Sequence, residues 1–181
     1  DSATGNTLID TFPISSTLAD MTVVNGILCV IFVGDIFTQI HLNPNGSFGV
    51  FSTILLSTNS TLQQPGLAVH PLLPIVFACT HTPNTIVLNE IRVDAAVTPT
   101  LLAVVTVPGV VVSGQFLNRH RPRYCDGIIQ FIAPTGKPTQ SLVTVRQDDS
   151  NPALLTLISN IPLPSSIAGN VDAQFISNAN G

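Results

Sequence analysis

Residues 66–108 read GLAVHPLLPIVFACTHTPNTIVLNEIRVDAAVTPTLLAVVTVP and fall into four short apolar runs divided by turn residues. The runs are Leu67-Ala68-Val69-His70, Ile75-Val76-Phe77-Ala78-Cys79, residues 85–93 and residues 101–107. Pro71 and Pro74, then Pro83 and Asn84, then Asp94 and Pro99 mark the gaps. β-branched and aromatic side chains dominate the runs, so the stretch predicts four antiparallel strands joined by tight connections.

The same unit recurs along the chain. Leu8-Ile9-Asp10-Thr11-Phe12-Pro13-Ile14-Ser15-Ser16-Thr17-Leu18-Ala19 is echoed by Leu157-Ile158-Ser159-Asn160-Ile161-Pro162-Leu163-Pro164-Ser165-Ser166-Ile167-Ala168. Arg92-Val93-Asp94 with Pro99-Thr100-Leu101-Leu102 is echoed by Arg146-Gln147-Asp148 with Pro152-Ala153-Leu154-Leu155, an offset of 54 and 53 residues. Extending these anchors predicts first strands at 17–24, 66–70, 110–116 and 167–176, and second strands at 27–33, 75–81 and 127–133. Third strands fall at 36–43, 85–93 and 141–147, and fourth strands at 7–14, 48–57, 101–107 and 153–161. Asn25-Gly26, Pro44-Asn45-Gly46 and Pro134-Thr135-Gly136 sit where tight reversals are needed.

A period near fifty with four strands per unit fits a β-propeller blade better than a solenoid coil. The expected organisation is one all-β domain of about three and a half four-stranded, β-propeller-like blades. It has a fourth strand at 7–14, unit one at 17–57, unit two at 66–108, unit three at 110–161 and the start of a further unit at 166–181. Closed propellers use four to eight blades, so the stack is expected to be completed by another chain or another copy.

The 181 residues carry 45% hydrophobic and only 9% charged side chains, which excludes intrinsic disorder. The longest apolar run, 101–112, is broken by Thr106, Pro108 and Gly109 and falls short of the roughly 18 residues a membrane helix needs. With a net charge of −4 and six basic residues, the chain lacks the cationic face that binds nucleic acid. Few charges keep copies apart, so self-association is expected.

The start, Asp1-Ser2-Ala3-Thr4-Gly5-Asn6, has no initiator Met and reads as a mature or truncated terminus. The sequons at Asn45 and Asn59 are possible glycosylation sites of a secreted or surface protein. Cys29, Cys79 and Cys125 show no metal or CxxC spacing, and two of them lie within apolar strands as small buried hydrophobes would.

Unit two, through Leu67-Ala68-Val69-His70-Pro71, Ile75-Val76-Phe77-Ala78, Asn84-Thr85-Ile86-Val87 and Leu101-Leu102-Ala103-Val104-Val105, resembles the repeats of YVTN or lactonase-type β-propellers. The resemblance is partial over 27–56 and weaker elsewhere. It implies a scaffold, since such propellers include lactonases, cyclases, oxidoreductase subunits and surface proteins, and function resides in a site rather than the fold.

The densest polar cluster is Asn118-Arg119-His120-Arg121-Pro122-Arg123-Tyr124-Cys125-Asp126-Gly127, expected as a loop between the first and second strands of unit three. Arg119, His120, Arg121, Arg123 and Tyr124 are candidates for holding a carboxylate or phosphate through bidentate hydrogen bonds. Alternatively, these arginines pair with Asp126, Asp148, Asp149 or a neighbouring subunit. No spacing of His41, His70 and His81 with acids specifies a metal site, and no motif calls for a cofactor. There is no nucleophile elbow, and Asp148-Asp149 suits a turn rather than a glycosidase pair. Glu90 is expected to pair with Arg92 on the same face of its strand. Without Trp and with one Tyr, the chain has little to stack on a sugar.

The function expected is that of an extracellular or cell-surface propeller module, a structural or interaction scaffold that self-associates. Two other readings are the N-terminal part of a lactonase- or cyclase-like propeller enzyme that binds an acidic substrate, and a jelly-roll capsid or appendage subunit.

Overall fold

Two-residue turns set the register of the molecule. At Asn25 (φ 49°) and Gly26 (φ 76°) the backbone is left-handed twice in succession, the geometry that lets two antiparallel strands follow each other with their native twist. Asp126 (φ 46°) and Gly127 (φ 77°) repeat it a hundred residues later. The structure is a computed structural model that describes residues 9–14, 16–56, 65–81, 85–94, 98–107, 121–136, 139–148 and 150–163.

Among the described residues there are twelve strands and no helix. They are β1 (Leu18–Val24), β2 (Ile27–Phe32), β3 (Ile36–Leu42), β4 (Phe48–Leu55), β5 (Gly66–Val69), β6 (Ile75–His81), β7 (Ile86–Arg92), β8 (Thr100–Val107), β9 (Arg123–Cys125), β10 (Ile128–Gly136), β11 (Thr139–Gln147) and β12 (Leu155–Pro162). They form three four-stranded antiparallel sheets, each in consecutive order: β1-β2-β3-β4, β5-β6-β7-β8 and β9-β10-β11-β12.

The sheets stack face to face. Along β6 the side chains alternate: Ile75, Phe77 and Cys79 pack with Ile129, Phe131 and Val143 of the third sheet. Val76 and Ala78 pack with Cys29, Ile31 and Phe37 of the first. Buried on both sides, the strand has no polar-out positions, which is why it reads as a nearly unbroken apolar run. Cys29 and Cys79 are fully buried, and burial pushes the Cys29 thiol up to about 12 and that of Cys79 well above its ordinary value, so both are inert packing groups.

The second and third strands of all three units lie where the sequence places them, and so do the fourth strands β4, β8 and β12. Two assignments change. Of the fourth strand expected at 7–14, residues 9–14 run irregularly beside β4 and pair with no strand among the described residues, and residues 7 and 8 lie outside them. In the third sheet, the strand beside β10 is β9, inside the segment read as a loop. The Asp-Gly turn explains it, because that turn requires a strand on either side. The strand expected at 110–116 lies outside the described residues, as does that at 167–176.

Candidate functional site

The first strands β1, β5 and β9 lie side by side at one end of the stack, each an edge strand of its own sheet. An edge strand leaves alternate backbone N–H groups without a ladder partner, and here a buried carboxylate takes one of them. In β1 the register slips between Leu18 and Asp20, a bulge that places Asp20 against the neighbouring sheet with 5% of its surface exposed. Asp20 Oδ2 accepts from Leu67 N of β5 at 2.9 Å and from Arg121 Nε at 2.9 Å. Oδ1 accepts from Arg121 Nη2 and from Met21 N. One carboxylate thus ties together the leading strands of the first and second sheets and the chain entering the third, in the bidentate fork geometry of an arginine clamp.

Arg121 therefore finds an acid 101 residues upstream, at Asp20, while Asp149, one of the expected partners, lies outside the described residues. Tyr124 goes elsewhere: its ring stacks on Phe77 with centroids 5.3 Å apart and meets the His70 ring at 4.7 Å, so it bridges the second and third sheets. His70 is a turn cap, its Nδ1 accepting from Leu72 N at 3.1 Å and Leu73 N at 3.0 Å. Burial lowers its pKa below 6.5. Arg123 stands opposite Gln130, on the strand face turned away from that of Tyr124. Arg119 and His120 lie outside the described residues. Between these groups opens a shallow cleft of about 300 Å³, walled by Met21, Thr22, Leu67, Arg121, Arg123 and Tyr124 among others.

A second polar group lies deeper. Glu90 is fully buried between the second and third sheets, where its Oε1 accepts from Gln147 Nε2 at 2.7 Å and its Oε2 has no hydrogen-bond partner. Burial pushes its carboxyl up to about 7, against the opposing pull of the Gln147 bond. The expected pairing with Arg92 does not form: the bulge beside Glu90 places its extra residue, Leu102, in β8, so alternation along β7 holds and both side chains are on the face toward the third sheet, where Glu90 is buried and Arg92, at the end of the strand, is exposed. Between the first and second sheets the corresponding contact is neutral. Gln39 Nε2 donates to Asp94 O at 2.5 Å, and Asp94 N donates to Gln39 Oε1 at 3.2 Å.

Asn45 lies exposed in the β3–β4 turn, its Oδ1 accepting from Ser47 N at 3.0 Å. Asn59 is outside the described residues. Among the described residues no three His, Cys, Asp or Glu side chains are grouped as metal ligands. No helix of the described residues is long and apolar enough to cross a membrane. No protein-family model matches the chain, and no curated protein is significantly similar to it.

Sequence reasoning missed Asp20 and Gln147. An acid inside the apolar strand β1 was the available signal, because an unpaired buried carboxylate is too costly to keep.

Proposed function

We propose that the chain is a run of β-propeller blades that acts as an extracellular or cell-surface scaffold and self-associates to complete its stack. The observation that carries this reading is the arrangement of the sheets: three consecutive meanders packed face to face, with their first strands side by side. A propeller repeats that step around an axis, whereas a jelly roll interleaves strands from distant parts of the chain. The likeness of 66–108 to YVTN-type repeats points the same way.

The middle sheet is covered on both faces. On the far side of the third sheet Ile161 is 55% exposed, a position suited to a further sheet. A scaffold is favoured over an enzyme because Arg121 is engaged by a buried carboxylate and Tyr124 by the core, leaving them as structural ties. The low charge and the exposed sequon at Asn45 support a surface location.

Light scattering combined with small-angle X-ray scattering tests the proposal. The expected particle exceeds one 19.1 kDa chain and has a disc-like profile. A monomer at every concentration would count against self-association, and an extended profile against the propeller. The cleft beside Arg121 and Arg123 favours one second reading, an acidic small-molecule ligand, which calorimetric titration with dicarboxylates would detect.

A further inference from the structure

The polar tie across the second seam is well supported on one side and poorly on the other. Gln147 is fixed from three directions: its backbone N donates to Gly127 O at 2.8 Å, and its Nε2 reaches Pro152 O at 3.3 Å as well as Glu90 Oε1 at 2.7 Å. Glu90 has no such surplus. Its cross-strand neighbours are Phe77 on β6 and Ala103 on β8, and its Oε2 is enclosed without a hydrogen-bond partner. As a neutral acid the group is tolerated there, whereas a carboxylate would keep one hydrogen bond in place of the several that water supplies.

The titratable and charged groups around it are few. On β7 Arg92 shares its face but is exposed at the strand end. His70, just past β5, lies against the Tyr124 ring of β9, and β6 carries Cys79 and ends at His81. β8, β10 and β12 bring no charged side chain to this face, and Arg146 of β11 lies on the opposite face from Gln147. Beyond Gln147, Asp148 Oδ1 is taken up by Ser150 and Asn151, and Asp126 is exposed in the β9–β10 turn. Among the described residues none of these forms an ion pair with Glu90.

We propose that the Glu90–Gln147 contact is a proton-operated latch: when Glu90 gives its proton to solvent, the outer strands of the third sheet lift from the second while the first seam stays shut. The leading edge is the hinge, because Arg121 ties the chain entering β9 to Asp20 and Tyr124 stacks on Phe77. The far edge is the part that moves. It holds Leu102 of β8 with Leu155 and Leu157 of β12, all only partly buried. Once the seam opens, water donates to both carboxylate oxygens. In the first seam Gln39 and the Asp94 peptide exchange two hydrogen bonds with no proton at stake. Burial holds the Glu90 carboxyl at about 7 in the closed seam against an ordinary 4.5, so closure is fully favoured below pH 4.5 and is lost as pH rises through about 7.

The chain carries a reporter in each seam: Cys79 is fully buried in the second and Cys29 in the first. The unaltered full chain and Glu90→Gln, checked for folding by circular dichroism, are pulsed with a dithiodipyridine at pH 5 and pH 8, and the labelled cysteines are read by peptide mass spectrometry. Dividing the Cys79 labelling rate of the unaltered chain by that of Glu90→Gln cancels the reagent's own pH dependence and the titration of His70. That ratio should rise roughly fiftyfold from pH 5 to pH 8, while the Cys29 ratio stays constant. If Glu90→Gln does not fold, the rate of Cys79 relative to Cys29 in the unaltered chain should show the rise. A Cys79 rate that does not change by this measure would overturn the latch. So would Cys29 labelling that rises in step with Cys79, the mark of whole-chain unfolding rather than the opening of one seam.

Discussion

The two seams between sheets use the same materials and differ in one atom's chemistry. Both bury aliphatic and aromatic side chains: Ile31 and Phe37 against Val76 and Ile91 in the first seam, Phe77 and Leu88 against Phe131 and Val145 in the second. Each is also crossed by a glutamine. Gln39 meets a peptide group, with donor and acceptor matched on both sides, whereas Gln147 meets a carboxyl with one oxygen left over. An amide facing a peptide is indifferent to pH. A carboxyl in the same position is stable only while it keeps its proton, so the second seam carries a titration that the first lacks.

The largest expected effect tests what the seams share. Phe37→Ala in the first seam and Phe77→Ala in the second should each cost about 3–5 kcal/mol in chemical denaturation, because each empties a fully buried ring site. A loss below about 1 kcal/mol at either position would mean that the ring is not a core element.

Next comes the difference. The folded pKa of Glu90, about 7, lies above its ordinary 4.5, so the folded state binds the proton more tightly. The contribution is fully present below pH 4.5 and disappears as pH rises through about 7, a change on the order of 3 kcal/mol. Glu90→Gln should flatten this dependence and raise the melting temperature at pH 8 relative to the unaltered chain. Identical pH profiles for the two proteins would remove the distinction between the seams. His70 works in the opposite direction: with its pKa lowered, its contribution is lost as pH falls below 6.5.

Arg121→Ala should cost about 2 kcal/mol, less than for a fully buried pair, because the arginine side chain is 37% exposed while Asp20 is nearly enclosed. The double variant Asp20→Asn with Arg121→Ala should recover part of that loss, and strict additivity would argue against the clamp. The smallest effect is expected for Gln39→Ala, about 1–2 kcal/mol at any pH between 5 and 8.

Strand positions were legible because alternation and turn chemistry are local. The apolar runs Ile27 to Phe32, Ile75 to Cys79 and Ile86 to Leu88 open just after Gly26, Pro74 and Asn84, and their strands appear within a residue or two of where the pattern puts them. β9 escaped because Arg-Tyr-Cys between Pro122 and Asp126 has no apolar run, although Asp126-Gly127 carries the same hairpin signal as Asn25-Gly26. The ties between sheets were not legible. Arg121 and Asp20 are 101 residues apart and Gln147 and Glu90 are 57 apart, and no local rule pairs residues at such separations. Alternation did put Glu90 and Arg92 on one face, but no local pattern shows that the third sheet covers that face at Glu90 and leaves it open at Arg92.

The carboxylate of Asp20 imposes an order of events on synthesis. It is made about a hundred residues before its arginine, so while the ribosome is still building the second sheet, the first two sheets can close only over an acid whose cation does not yet exist. Their final docking is therefore expected to wait for the third unit, so that a chain arrested before residue 121 should hold its leading edge loosely and be cut there first by protease.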